Sequence, residues 1–466
     1  MLNKKVKIVA TLGPATNTKE KIAALAKRGV NVFRLNLSHQ DGAAFEPIIK
    51  IIREVEKDFG APLAIMADLA GPKIRIGKIK EGAVLHAGRT VKIVPGAIEG
   101  SEEVFSLNFP AILKNLQKGA EVYLADGVLK LRVEKNTKDG VFAKVLVGGP
   151  LISKKGFSAQ GLIFGSFALS VKDKSDVKAM YELGVDAFAV SFVQAKRDIE
   201  AVRKLLPEKN RPLLIAKIET AEAVENIEGI IDVSDGVMVA RGDLGLSVPM
   251  EQVPYIQRSL IRLALRKAKP VITATQMLES MIQNPLPTRA EVTDVTKAIL
   301  DGTDAIMLSA ETAVGSFPFE VVEMMTKIAD ASLDKVIRRD FPEEKSIADA
   351  VSASTVRTAQ QIQAKLIIVF TQKGVTARRI ARHKPTQPIL ALSPDPKTIR
   401  QLAFSWGTHP MIMKSLTDFD EMIEYAKKIA ANNPVLKLKK GDAFVISAGV
   451  PFGHSGMTNL VLVEHV

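Results

Sequence analysis

The chain has 466 residues, 47% hydrophobic and 25% charged, the balance of a globular protein with room for two or three domains. With no cysteine it has no disulfide, thiolate metal site or thiol nucleophile, and no apolar run approaches the roughly 18–20 residues that cross a bilayer. A net charge of +13, spread along the chain with only 5% aromatic residues, fits a diffuse field that attracts anionic metabolites better than a nucleic-acid interface.

The first segment, Met1 to Lys7, is short and basic and has neither a signal core nor a transit-type composition, so a cytoplasmic location is expected. From there one local pattern recurs. Helix-like segments end at a glycine, followed by Val or Thr, then Asn or Asp, then an apolar run: Gly29-Val30-Asn31, Gly184-Val185-Asp186, Gly302-Thr303-Asp304 and, more loosely, Asp235-Gly236. The glycine suits a helix C′ position with positive φ, and the run behind it reads as a buried parallel strand. The strands so predicted are 6–12, 32–37, 63–69, 187–193, 213–218, 236–240, 270–274 and 305–308, with helices between them, of which Thr18 to Arg28 closed by Gly29 is the clearest. Eight strands alternating with helices predict a (β/α)8 TIM barrel over 1–72 and 168–340.

The alternation breaks over 73–167, where short apolar runs are punctuated by glycines and Asp126-Gly127 signals a hairpin. This predicts an inserted small β-barrel domain at the catalytic end, acting as a lid. Beyond Phe341-Pro342 the alternation resumes, with apolar runs at 366–370, 389–392, 411–413, 444–447 and 460–463. They predict a C-terminal α/β open-sheet domain over 341–466.

Barrel enzymes place their chemistry at the C-terminal strand ends. Those ends carry Arg34 through His39, Asp68 through Arg75, Lys217-Ile218-Glu219, Arg241-Gly242-Asp243, Thr275-Gln276 and Ser309-Ala310-Glu311. Buried charges need partners or ligands, so a ring of both signs implies an anion and a cation held together. Glu219 and Asp243 are two hard oxygen donors suited, with water and substrate, to Mg²⁺ or Mn²⁺. Lys217, two residues before Glu219, faces the same side of its strand and can neutralise a transferring phosphoryl group. Arg34 and Arg75 suit phosphate. If a helical turn starts at Gly242, its N–H and that of Asp243 can receive a carboxylate.

Several long motifs then carry a resemblance: Ala10-Thr11-Leu12-Gly13-Pro14-Ala15, Arg34-Leu35-Asn36-Leu37-Ser38-His39, Lys217-Ile218-Glu219, Ala240-Arg241-Gly242-Asp243-Leu244-Gly245, Ala274-Thr275-Gln276-Met277-Leu278-Glu279-Ser280-Met281, Pro287-Thr288-Arg289-Ala290-Glu291 and Leu308-Ser309-Ala310-Glu311-Thr312-Ala313. The chain resembles the pyruvate kinase family across all three predicted domains. The resemblance implies phosphoryl transfer from phosphoenolpyruvate to ADP, then protonation of the enolate to pyruvate, with ATP released. It implies that Arg34, Lys217, Gly242, Asp243 and Thr275 contact phosphoenolpyruvate, that Lys217 stabilises the transition state, and that Glu219 and Asp243 bind the metal. It places Arg75, His39 and Lys172 near the nucleotide phosphates and Thr275 in the proton-delivery network. By analogy the protein is a homotetramer.

Many members bind K⁺ at positions matching Asn36, Ser38, Asp68 and the Leu69 carbonyl, and carry glutamate where this chain has Lys73. Members with lysine there are similar to K⁺-independent enzymes, and the apolar Ile76 agrees. An ammonium supplies the ion's charge and repels a second cation. K⁺ is therefore expected not to be required. The hydroxyl- and glycine-rich loop Thr371-Gln372-Lys373-Gly374-Val375-Thr376, before a helix starting near Ala377, matches the family's place for a sugar-phosphate or nucleotide effector, as does Gly449 to Thr458, though the usual serine- and arginine-bearing pattern is missing. The basic run Arg378 to Lys384 reads as a solvated helix face, and Trp406 as packing. Gly453-His454-Ser455-Gly456 fails as a nucleophile elbow, since Met457 stands where glycine is needed. Competing readings are a Mg²⁺-dependent lyase or aldolase acting on a pyruvate enolate, and a catalytically silent binding protein.

Overall fold

The computed structural model describes residues 4–72, 74–125, 127–160, 169–336, 341, 346–416, 418–432, 438–451 and 457–466. Lys73, Asp126 and the Gly453-His454-Ser455-Gly456 motif lie outside them. The central feature is a closed barrel of eight parallel strands, Lys7–Thr11, Val30–Asn36, Ala64–Asp68, Ala187–Val190, Leu213–Ile218, Gly236–Ala240, Val271–Ala274 and Ala305–Leu308. The first pairs with both the second and the eighth. Val9, Met66, Ile215, Met238 and Met307 fill the interior, while the alternate residues pack outward on the helices. Among the described residues no helix is long and apolar enough to cross a membrane.

The helices end as their residues dictate. Lys19–Arg28 is capped by the Thr18 hydroxyl and closed by Gly29 at φ 116°. Arg289–Asp301 has a reciprocal Thr288/Glu291 capping box and ends at Gly302, φ 102°. Gly184 is also left-handed, at φ 77°. Gly236 departs from the pattern: it is the first residue of its strand, outside the left-handed region, and the preceding helix Ile227–Val233 closes on Ser234 instead.

The Asx residue of the repeat does work that spacing alone does not reveal. Asn31, Asp186, Asp235 and Asp304 each accept a backbone N–H from the preceding strand: from Ile8 at 3.1 Å, Ile65 at 2.8 Å, Leu214 at 2.9 Å and Val271 at 3.0 Å. Side chains at the lower ends of the even strands thus close the odd ones. The three aspartates also hold cations: Asp186 with Arg53 (2.7 Å) and Arg400 (2.8 Å), Asp235 with Arg211 (2.5 Å), Asp304 with Lys384 (2.8 Å).

Between the third and fourth barrel strands lies a six-stranded sheet with its own core around Phe105, Leu131 and Val141. Its edge strands are Val104–Ser106 and Phe157–Ala159. The segment leaving the barrel bridges both margins, Arg75 opposite Gly156 and Ile76 opposite Leu107, so the sheet is closed into a small barrel. In the hairpin, Gly127 takes φ 95°.

The C-terminal sheet runs Thr408–Ile412, Ile389–Ser393, Leu366–Phe370, Ala443–Ala448, Leu460–His465, with only the last antiparallel. The strand predicted at 411–413 starts earlier. Its first residues are Thr408, His409 and Pro410, which break an apolar run but are tolerated on an edge strand. The helix after the loop is Val375–Ala381. The basic run is not a solvated face: Arg382, His383 and Lys384 are 3%, 3% and 2% exposed. It docks on the barrel floor, where Lys384 pairs with Asp304 and sits 4.8 Å over the Trp406 ring. Phe404, fully buried, joins the barrel's interior cluster from below.

Candidate active site

At the upper mouth of the barrel a cavity of about 90 Å³ is lined by Arg34, Asn36 and Ser38, Asp68 and Leu69, Ser191 and Phe192, Lys217 and Glu219, Asp243, Thr275 and, as floor, Met238, Ala240 and Met307. The second, third, fifth, sixth and seventh strand ends therefore converge as their residues predict. The eighth differs. Glu311 is buried, and its carboxylate accepts from Ser309 N (2.7 Å) and Leu278 N (3.3 Å), which makes it a backbone brace. Burial lifts its pKa.

One ion cluster organises the cavity. Lys217 Nζ stands 2.8 Å from Glu219 Oε1, 3.2 Å from Asp68 Oδ1 and 2.8 Å from the Ser191 hydroxyl, to which it donates. Arg34 Nε donates to Asp68 Oδ2 at 2.7 Å and its Nη1 to Thr11 Oγ1 at 3.0 Å. Burial alone would lift the Asp68 carboxyl, but Lys217 and Arg34 outweigh it and hold it below its ordinary range. Its stabilising charge is therefore present above the unfolded carboxyl pKa and is lost as pH falls through the lowered folded value. Burial would likewise lower Lys217, yet Asp68 and Glu219 outweigh it and raise the ammonium's pKa. Lys217 is a fixed cation at neutral pH and not a base.

Glu219 Oε2 accepts from Phe192 N at 2.7 Å. Oε1 is buried and, although the ammonium is 2.8 Å away, receives no hydrogen bond of proper geometry; the contact is ionic. Asp243 is exposed on the turn Arg241–Ser247, close enough to contribute to the raised Lys217 pKa. Among the described residues no group of three or more His, Cys, Asp or Glu side chains is placed to hold a metal. Two carboxylates with a spare buried oxygen suit a hard divalent cation that completes its shell with water and substrate.

The backbone is strained at the same place. Thr275 and Gln276 adopt φ 69° and 53°, and Phe192 adopts 54°. For a β-branched threonine this is an outlier, sustained only where the surroundings over-determine it. Arg241 does so here: its Nη2 donates to the Thr275 and Gln276 carbonyls at 2.8 and 3.0 Å while Nη1 bonds Asp294 at 2.6 Å. The Thr275 hydroxyl accepts from Gly242 N at 2.7 Å and donates to Ala274 O at 2.6 Å. The expected turn at Gly242 is present, with this N–H engaged by Thr275.

The residues predicted for the nucleotide and the effector lie apart from the cavity. His39 is exposed, and Arg75 is exposed with its guanidinium on Lys154 O at 2.8 Å. Lys172 is committed to the Leu37 and Gln40 carbonyls (2.9 and 3.1 Å) and Asp176 (2.5 Å), bracing the loop after the second strand. Asn36, Ser38, Asp68 and Leu69 are together, with Ser38 N on Asn36 Oδ1 (3.1 Å) and the Ser191 hydroxyl on Leu69 O (2.7 Å). In the C-terminal loop Thr371 and Thr376 are buried and Lys373 is exposed; Thr376 shares a 2.7 Å hydrogen bond with Thr458. Ser191 was not foreseen. It follows Val190, where the fourth strand ends, so the strand-end rule finds it once the strand is cut there.

Comparison with known proteins agrees along the whole chain. The family described as "Pyruvate kinase, barrel domain" matches residues 3–322, and "Pyruvate kinase, alpha/beta domain" matches 349–464. The chain is 39% identical to a pyruvate kinase of Methylorubrum extorquens over 100% of its own length and 98% of the relative's. It is 40% identical to one of Mycobacterium intracellulare, covering 100% and 99%. The crystal structure of a pyruvate kinase from Cryptosporidium parvum superposes with a TM-score of 0.91 at 33% identity, covering 99% and 96% of the two chains.

Proposed function

The chain belongs to the pyruvate kinase family, and from that premise we propose how its own residues carry out phosphoryl transfer between phosphoenolpyruvate and ADP to give pyruvate and ATP. Membership over both halves of the chain retires the lyase and silent-protein readings. The observation that carries the assignment of roles is the buried Lys217–Asp68–Glu219 cluster with its spare Glu219 oxygen.

Arg34, oriented by Asp68 and Thr11, grips the substrate phosphate. Lys217 supplies a permanent positive charge beside the transferring group and the enolate oxygen left behind, in a site where such charge is far stronger than in water. Glu219 and Asp243 would hold Mg²⁺ or Mn²⁺, which when bound supplies a second positive centre against the phosphoryl oxygens. Protonation of the enolate falls to the Thr275 network, at the strained turn after the seventh strand. The Thr275 hydroxyl must first turn away from Ala274 O. Gly242 lets the backbone approach the substrate.

On the same reading residues 73–167 form a lid over the mouth. Arg75, His39 and Lys172 serve the nucleotide side, and the two latter shape the loop after the second strand. Thr371, Lys373 and Thr376 are the place for a sugar-phosphate or nucleotide effector, and the enzyme works as a cytoplasmic homotetramer. Lys73 replaces K⁺, whose positions in the family match Asn36, Ser38, Asp68 and Leu69 of this sequence, since an ammonium supplies the ion's charge and repels a second cation. The test is steady-state pyruvate release with Mg²⁺ in potassium or tetramethylammonium salts at matched ionic strength. Equal rates are expected, and a large loss without potassium would sink the Lys73 assignment.

A further inference from the structure

Lys217 is held by more than its two carboxylates. It is paired ionically with Asp68 Oδ1 at 3.2 Å and Glu219 Oε1 at 2.8 Å, and it donates a hydrogen bond to the Ser191 hydroxyl at 2.8 Å. An ion pair fixes a separation, whereas a hydrogen bond to an immobile acceptor also fixes a direction. Ser191 is such an acceptor. It is 2% exposed, and its own proton goes to Leu69 O at 2.7 Å, with Asp68 Oδ1 the longer alternative at 3.3 Å. Its lone pairs are left for the ammonium. The chain after the third strand walls it in: a Cβ on Gly71 would stand 2.9 Å from Ser191 Cβ.

The next residue reaches the other side of the pair. Phe192 takes φ 54°, and its N–H donates to Glu219 Oε2 at 2.7 Å. Adjacent residues of one turn thus hold the ammonium and the carboxylate separately. Glu219 Oε1 stays without a hydrogen bond although the ammonium is in reach. A buried ammonium that lost its hydroxyl acceptor would turn to the nearest unbonded oxygen, Oε1, because an unmet charged donor is costly.

We propose that Ser191 is a positioning residue: it holds Lys217 off Glu219 Oε1 and so keeps that oxygen free for the divalent metal. The proposal rests on the reading of Glu219 as a metal ligand given above.

Binding of Mn²⁺, read from the electron paramagnetic resonance of the free ion, tests this without turnover. Ser191→Ala should weaken binding by about 10-fold or more, as should Ser191→Cys, which is close in size but a poor acceptor. In a Lys217→Met background, where no ammonium competes for Oε1, Ser191→Ala should change nothing further. Unaltered affinity in either folded variant overturns the proposal. So does an equal loss with and without Lys217, the result expected of a merely structural residue. Glu219→Gln tests the underlying reading separately and should also weaken Mn²⁺ binding by about 10-fold or more. Unchanged binding there removes both the ligand and the proposal, whereas a loss there with unaltered binding in Ser191→Ala removes the role of Ser191 alone.

Discussion

Both rims of the barrel carry lysine–aspartate pairs, but the two are finished differently. On the lower rim Lys384 lies 2.8 Å from an Asp304 that also closes the seventh strand through Val271 N. On the upper rim Lys217 lies 3.2 Å from Asp68 and 2.8 Å from a Glu219 that keeps an unbonded buried oxygen. Left-handed non-glycine residues stand at both, Phe192, Thr275 and Gln276 above and Ala268 and Lys384 below, so backbone strain does not separate the rims. The comparison teaches that buried charge alone does not mark chemistry. Pairs whose carboxylate oxygens are all hydrogen-bonded hold the fold together, while a pair with an unbonded buried oxygen awaits a ligand.

The largest expected effect comes from Lys217→Met, which should cut kcat by about 10³-fold while the far-UV circular dichroism is unchanged. Normal turnover would erase the distinction between the rims. Next, Asp304→Asn keeps an acceptor for Val271 N, as Asn31 does for Ile8, but strands the buried Lys384. Urea unfolding should show a loss of about 3–5 kcal/mol, with kcat unchanged at temperatures where the variant is folded. A stable variant with impaired catalysis would reverse the assignment of the lower rim. The smallest effect tests strain. Gln276 is exposed, so Gln276→Gly mainly relieves its left-handed conformation. It should gain roughly 0.5 kcal/mol once glycine's own entropy is subtracted. A clear destabilisation would show that the turn stores no strain at this residue.

Much of this was legible in the residues, for stateable reasons. Gly29, Gly184 and Gly302 announce helix ends because few other residues tolerate their φ. Lys217, Glu219 and Asp243 are found by asking which charged side chains end apolar strands. Other features depend on what meets what across the fold. The Asx ring needs knowledge of which strand lies next door. Ser191 is hidden when the fourth strand is carried three residues too far. The basic run 378–384 has the composition of an exposed face, and only the docking of the C-terminal unit buries it.

Phe404 has a consequence for how far this molecule can be trimmed. The barrel borrows the aromatic ring that stops its lower opening from a stretch of chain nearly a hundred residues beyond its last strand. Cutting the chain after Ser332 would leave a drained well under Met66 and Ile215, open to solvent. The catalytic half does not own its own floor.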